Sequence, residues 1–182
     1  MTALAQKLMT AEEFADWAEK RPEKHWELFD GVPQMQQSQS WGHARHVYRI
    51  ARVIEGAIEA SGLALSFGIE GIVVKAGPDT AFEPDIVVFS GPMDDHEIIV
   101  REPVIAIEVL SPSTERKDLT VKLAGYFKVP SIEHYVIADW EACELFHYRR
   151  QGTAIAPPVI LREGVLLLDP PGIAIALADV FK

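Results

Sequence analysis

Asp85, Glu108 and Lys122 have the residue types, and the order along the chain, that a divalent-metal phosphodiesterase site requires. Hard cations such as Mg²⁺ take one or two carboxylates together with water and phosphate oxygens. An amine beside two such acids can orient an attacking water, help to deprotonate it, and offset charge on the phosphate. Each residue also has a plainer reading. Asp85 follows Pro84 at a strand start, where an Asp commonly caps its own turn. Glu108 lies within Val104-Ile105-Ala106-Ile107-Glu108-Val109-Leu110, otherwise a fully buried strand. A carboxylate there is costly unless it is paired, hydrogen-bonded or bound to a metal. A structural ion pair with a Lys or Arg therefore competes with metal ligation, which a second acid on the neighbouring strand favours. Lys122 comes four residues after Asp118, a spacing that usually marks an exposed helix-surface pair worth a few tenths of a kcal/mol.

Glu27, and after it Glu70, are further candidate acids, unless each is a polar residue on an exposed strand face. Arg45, Arg49 and Arg52 form a stripe that could contact phosphates, or be a solvated helix face that also carries Glu55 and Glu59. His43 and His46 could ligate a metal, although surface or capping roles are usual for His at a helix start. Trp41 and Cys143 carry no readable signal.

These residues must be positioned by a short series of elements. Thr10 and Glu13 make a capping box ahead of Phe14, Trp17 and Ala18, which predicts an N-terminal helix ending before Pro22. Asp30-Gly31 is a hairpin turn between strands at 25–29 and 32–36, and 34–40 is polar and loop-like. Val47, Ile50, Ile54 and Ile58 recur at three and four, predicting a helix over 43–61 closed by Gly62. A strand follows from Leu63 past Gly71 to about Lys75, then strands over 82–89 and 103–110 separated by an acidic loop with Asp94, Asp95 and Glu97. After a Ser111-Pro112-Ser113-Thr114 turn, 119–127 is helical until Val129-Pro130, and 133–138 is a strand. Segments 145–149, 155–162 and 164–168 extend the sheet or cover its edge. The order helix, three strands, helix, strand gives an α/β fold with a mixed sheet flanked by helices.

The 182 residues, 48 % hydrophobic, are enough for one substantial core, so the expectation is a single domain over 1–182. Its parts are a core at about 43–139, an N-terminal helix and hairpin at 10–36 and C-terminal strands at 144–182. One cysteine excludes an internal disulfide and a Cys-rich zinc site, as suits a cytoplasmic chain. Residues Met1 to Met9 lack the apolar block of a signal peptide, and no span has transmembrane length. With 17 basic against 27 acidic residues the formal charge is −10, which argues against coating nucleic acid through an overall positive field. Any phosphate contact must be local, and a carboxylate-bound cation would invert the local field.

Asp85 and Glu108 in their contexts, Pro84-Asp85 and Ile107-Glu108-Val109-Leu110-Ser111-Pro112-Ser113-Thr114, followed by Asp118, Lys122 and Tyr126, resemble the Uma family of bacterial restriction endonucleases. The resemblance also takes in Trp26-Glu27-Leu28-Phe29-Asp30-Gly31, His43, and Glu133-His134-Tyr135-Val136-Ile137-Ala138-Asp139, so it spans about Glu27 to Asp139. That family belongs to the PD-(D/E)XK superfamily, whose restriction-endonuclease-like core has the same helix, three strands, helix, strand order. The superfamily expects a Lys two residues after the acid, and here that place is Leu110. The resemblance implies that Lys122 supplies the amine from the next helix, with Asp85 and Glu108 as ligands of Mg²⁺ or Mn²⁺.

The expectation is a metal-dependent endonuclease acting on DNA. The competing expectation is a nuclease-fold binding or regulatory module without activity, which the net charge and Leu110 support. The apolar late strands around 165–168 and 173–177 predict a two-fold homodimer.

Overall fold

The computed structural model describes residues 8–110 and 116–182. The expected turn at 111–114, the first seven residues and the side chain of Asp118 lie outside the described residues. In chain order the elements are α1 (Ala11–Glu19), β1 (Trp26–Phe29), β2 (Val32–Met35), α2 (Trp41–Ser61), β3 (Leu65–Ile69), β4 (Val73–Lys75), β5 (Ala81–Phe82), β6 (Ile86–Ser90), β7 (Ile99–Val100) and β8 (Pro103–Val109). They continue with α3 (Arg116–Tyr126), β9 (His134–Asp139), β10 (Glu144–Gln151), β11 (Ala154–Ile155), β12 (Val159–Leu161), β13 (Val165–Leu168), β14 (Ile173–Ala176) and α4 (Leu177–Val180). Thr10 caps α1 through the expected box, its hydroxyl accepting the Glu13 N–H while the Glu13 carboxylate accepts the Thr10 N–H. Gly62, in the left-handed region, closes α2.

The central mixed sheet runs β11-β10-β9-β8-β6-β3, with β12 also on β10. Its core contains the expected order: α2, then β3, β6 and β8, then α3, then β9. β8 pairs antiparallel with β6 and parallel with β9, and α3 makes the crossover. Side chains of β6 and β8 alternate faces with a period of two. Ile86, Val88, Ile105, Ile107 and Val109 meet α2 and the β13–β14 hairpin, while Val87, Phe89 and Ala106 meet Tyr126 and Phe127 of the α3 layer. Both faces are covered, which is why these strands read as nearly continuous apolar runs.

Three expected strands divide. The run from Leu63 to Lys75 breaks at Glu70 and Gly71, whose φ angles are 45° and 70°, and the chain passes from β3 in the central sheet to β4 in a second one. That smaller sheet has the order β2-β1-β5-β4-β7. The run from Phe82 to Phe89 likewise splits around 83–85 into β5 of the small sheet and β6 of the central one. Segment 155–162 splits into β11 and β12 around Pro157-Pro158, since proline cannot donate to a ladder. The short β7 follows the acidic loop and pairs with β4. The late apolar strands are mostly accounted for internally: Leu166, Leu168, Ile173, Ile175 and Leu177 are buried in the core with α2.

Helix α3 is clasped between the two sheets. Gly125 permits the approach, because a Cβ there would fall 2.2 Å from Phe82 Cε2. Phe82 also meets Tyr126 edge-on at 5.4 Å and Phe29 at 5.2 Å. Among the described residues, no helix is long and apolar enough to cross a membrane.

Candidate active site

The two breaks in the expected strands build the site. Pairing of Ile86 with Ile107 in the antiparallel β6–β8 ladder brings Asp85, one residue earlier, opposite Glu108. Asp85 Oδ2 accepts the Val109 N–H at 2.6 Å, which fixes the carboxylate at the end of β8. The Glu70 N–H donates to the Asp85 carbonyl at 3.2 Å, and the Gly71 N–H donates to Glu83 Oε1 at 2.6 Å. The left-handed bend at 70–71 is thus tied to the 83–85 segment, and Glu70 is carried to Asp85.

Glu108 shares its face of β8 with Ala106 and points to α3. Its Oε1 accepts from Lys122 Nζ at 3.0 Å and from the Tyr126 hydroxyl at 2.8 Å. Lys122 also lies 2.8 Å from Glu27 Oε1, which accepts the Glu83 N–H at 3.0 Å as well, while Gln36 donates to Glu27 Oε2. Glu27 is therefore a buried residue with both oxygens engaged, not a polar group on an exposed strand face. Lys122 is likewise buried, and its partners are Glu108 and Glu27 from two different sheets. Burial disfavours each charge, and Glu108 is lifted to about 7, with Asp85 and Glu27 adding to the effect and Lys122 opposing it. Burial raises Glu27 too. It works against the charge on Lys122, but the two carboxylates more than offset it and hold the amine above the usual lysine range. Burial, followed by the Glu108 charge, keeps the Tyr126 phenol well above its ordinary value.

His43, for which a surface or capping role was expected, turns inward from the first turn of α2. Ser40 makes the cap, accepting the His43 N–H at 3.2 Å. The imidazole is buried, with Nε2 3.0 Å from the Val109 carbonyl and 3.3 Å from Asp85 Oδ2. A carbonyl only accepts, so Nε2 carries the proton and the neutral ring has its lone pair on Nδ1, which finds no partner among the described residues. Burial lowers the proton affinity of this ring, and the Asp85 hydrogen bond and charge raise it by more.

A cavity of about 230 Å³ joins these groups. Glu27, Glu70, Glu83, Asp85, Glu108 and Lys122 all line it, five carboxylates to one ammonium, with His43 beside them. Ligand atoms of His43, Glu70 and Asp85 lie within 4.8 Å of one another. An acid excess and one imidazole whose buried Nδ1 has no partner among the described residues fit a divalent cation. Asp85, Glu108, Lys122 and Glu27 thus line one cavity, and His43 and Glu70 line it with them. His46 does not, since it stacks on Trp140 with ring centroids 3.7 Å apart. Arg45, Arg49 and Arg52 lie away from the cavity on the outer side of α2.

The chain matches the Uma2 family, described as "Putative restriction endonuclease", over residues 11–179. Two proteins of Synechocystis sp., both named as uncharacterized, are similar to it. One, slr1290, is 26 % identical over 144 residues, covering 78 % of this chain and 74 % of that protein. The other, sll1609, is 24 % identical over 155 residues, covering 84 % and 86 %. Among solved structures, the chain resembles "a putative nuclease belonging to DUF820" from Anabaena variabilis, with a TM-score of 0.76 at 19 % identity, over 95 % of this chain and 97 % of that one. At that identity the likeness is one of fold.

Proposed function

The chain belongs to the Uma2 family and has the restriction-endonuclease-like fold, and from that membership we propose that it is a metal-dependent endonuclease hydrolysing DNA phosphodiester bonds. The observation that carries this reading is the cavity that Asp85, Glu108 and Lys122 line together. Asp85 and Glu108 would hold Mg²⁺ or Mn²⁺, with His43 and Glu70 completing the donor set. When bound, such an ion lowers the pKa of its water and offsets charge on the phosphate.

The chain's own residues supply the rest. Lys122 and Tyr126 both donate to Glu108 Oε1, which orients the carboxylate and leaves Oε2 for the ion. Lys122, flanked by two carboxylates, stays a cation, so its role is to orient water and stabilise phosphate charge rather than to take a proton. Glu27 holds the amine in place, a role its two engaged oxygens suit better than ligation. The buried Glu108–Lys122 pair by itself would suit an inactive binding module. The opening of that pair onto the acidic cavity favours the enzyme.

We further place the protein in the cytoplasm, acting as one domain. A two-fold homodimer would use the outer face of β13, where Val165 and Leu167 stay exposed while Leu166 and Leu168 face the core. Light scattering that gives a monomer at all concentrations would remove the dimer.

Supercoiled, linear and single-stranded DNA incubated with Mg²⁺, Mn²⁺ or EDTA tests the activity. Cleavage requiring the ion, and lost in Asp85→Asn and Lys122→Met, is the expected result. Absence of metal-dependent cleavage of every substrate would overturn the reading.

A further inference from the structure

The outward face of α2 combines features that the cavity does not use. Trp41, Arg45, Tyr48 and Arg52 follow at spacings of four, three and four, and Arg49 comes four after Arg45, so the five share one side of the helix. Both aromatics are turned to solvent, Trp41 at 80 % and Tyr48 at 62 % of full exposure. Two large rings exposed on the same helix face as three arginines make a surface suited to a ligand that is both flat and anionic. The arginines are held from behind: Arg49 lies 5.4 Å over the Trp140 ring, Trp140 stacks on His46, and Arg45 donates to His46 Nε2 at 3.3 Å. Burial, then the Arg45 and Arg49 charges, lower the His46 proton affinity, so the ring remains an acceptor for Arg45.

Among the described residues, none of the three guanidiniums pairs with a carboxylate, in a chain whose formal charge is −10. Glu55 and Glu59 follow on the same helix, and Asp179, paired with Lys182, lines the groove, but the three guanidiniums make no ion pair of their own, and the ligand that complements them is an anion. Arg45, Tyr48, Arg49 and Arg52 rim an open groove of about 870 Å³, floored by small residues that include Gly56, Ala57 and Ala174. Helix α2 links the two regions: Gln39 and His43, on either side of Trp41 in the chain, line the acidic cavity, and Arg45 and Tyr48 follow on the groove.

We propose that this face of α2 is a track for single-stranded nucleic acid, with Trp41 and Tyr48 stacking on unpaired bases and Arg45, Arg49 and Arg52 contacting phosphates. The inference rests on the nuclease reading and narrows its substrate to strands with unstacked bases. In a closed duplex both faces of each base are already covered, so neither ring has a partner, whereas a single strand offers every base to an aromatic platform. Trp41 and Tyr48 are separated by about 10 Å along the helix, from a rise of roughly 1.5 Å per residue. One strand can therefore meet both rings and the intervening Arg45.

The test is fluorescence anisotropy in EDTA with a fluorescein-labelled mixed-sequence single strand of about 15 nucleotides and the matching duplex. The single strand should bind at least about tenfold more tightly than the duplex. Trp41→Ala and Tyr48→Ala should each weaken it by about 5- to 100-fold, and Trp41→Phe should retain most of the affinity. Replacing all three arginines by Ala should reduce the slope of log affinity against log salt by about 2, at roughly 0.7 per phosphate. Equal affinity for duplex, or an unchanged Trp41→Ala protein, would overturn the proposal. EDTA withholds the ion that cleavage requires, so binding is scored independently of cleavage. Metal-dependent cleavage without Trp41 dependence would sink the track alone, and the expected binding without cleavage would sink the nuclease reading alone.

Discussion

Lys122 Nζ lies 3.0 Å from Glu108 Oε1 across the β8–α3 connection, and the same ammonium is 2.8 Å from Glu27 on β1. One cation therefore ties the central sheet, its crossover helix and the small sheet together at the wall of the acidic cavity. Removing any member of this group changes the electrostatics of the other two, and the change differs for each.

Glu108→Gln should abolish cleavage while costing less stability than the loss of an isolated buried pair. Stranding a buried ammonium costs about 3–5 kcal/mol, but here Glu27 keeps Lys122 neutralised. We expect a loss of about 1–2 kcal/mol for Glu108→Gln, and about 3–5 kcal/mol when Glu27→Gln is added. Urea unfolding of the two single variants and the double variant measures the coupling, and simple additivity would show that the amine is not shared.

Mn²⁺ or Mg²⁺ should raise the thermal stability of the wild type, by about 2.7 kcal/mol at a hundredfold excess over Kd. His43→Ala and Asp85→Asn should lose that response, because both residues belong to the clustered donor set. An unchanged metal response in both variants would place the ion elsewhere.

The helix, three strands, helix, strand order was legible because the stripe of α2 and the runs of β6, β8 and β9 are long enough to show their periods. Glu108 was legible as an acid inside an apolar strand. What remained hidden was which sheet a strand joins. A period of two is the same in either sheet, so the exit at Glu70 and Gly71 had no signature in the alternation, although a Gly after an acid could have suggested a turn. The inward turn of His43 was hidden by its place at the helix start, where a polar residue ordinarily caps or faces solvent, although it precedes Val47 by four and so is in phase with the apolar stripe, and the burial of Glu27 was hidden by a strand of only four residues. The exposed Trp41 was unreadable because apolar residues ordinarily point inward.

Acid should destabilise the protein through a histidine pair outside the site. His134 Nε2 donates to the Pro170 carbonyl at 2.7 Å, so its Nδ1 accepts the His147 Nε2–H at 2.8 Å, and both rings are neutral. Burial, then His134 and Arg149, lower His147 to about 4 from an ordinary 6.5. Between those values the unfolded chain binds the proton and the folded one does not. Stability is thus complete above about 6.5 and declines as pH falls toward about 4, by about 1–3 kcal/mol. His147→Gln should flatten this acid limb in pH-dependent unfolding, and an unaltered limb would assign it to other groups.

Gly125→Ala should destabilise the protein and slow the proposed cleavage. A methyl group aimed at Phe82 Cε2 must displace the ring or the helix, with overpacking costing about 1–3 kcal/mol. Since Lys122 lies one turn earlier on α3, a shift of about 1 Å could lower kcat by up to about a hundredfold. Phe82→Leu combined with Gly125→Ala should recover part of both losses. Full activity in Gly125→Ala would show that the contact does not set the position of the amine.

Placing the amine on α3 rather than two residues along β8 also makes the assembled site a matter of equilibrium. A lysine on the strand would be present whenever the sheet is formed. Here a local opening that undocks α3 withdraws Lys122 and the Tyr126 hydroxyl while Asp85, Glu70 and His43 remain on their own elements. Such openings require less free energy than global unfolding. The fraction of molecules able to cleave would then follow the docking equilibrium of one helix, and hydrogen exchange in α3 would rise as activity falls while exchange in β8 stayed constant.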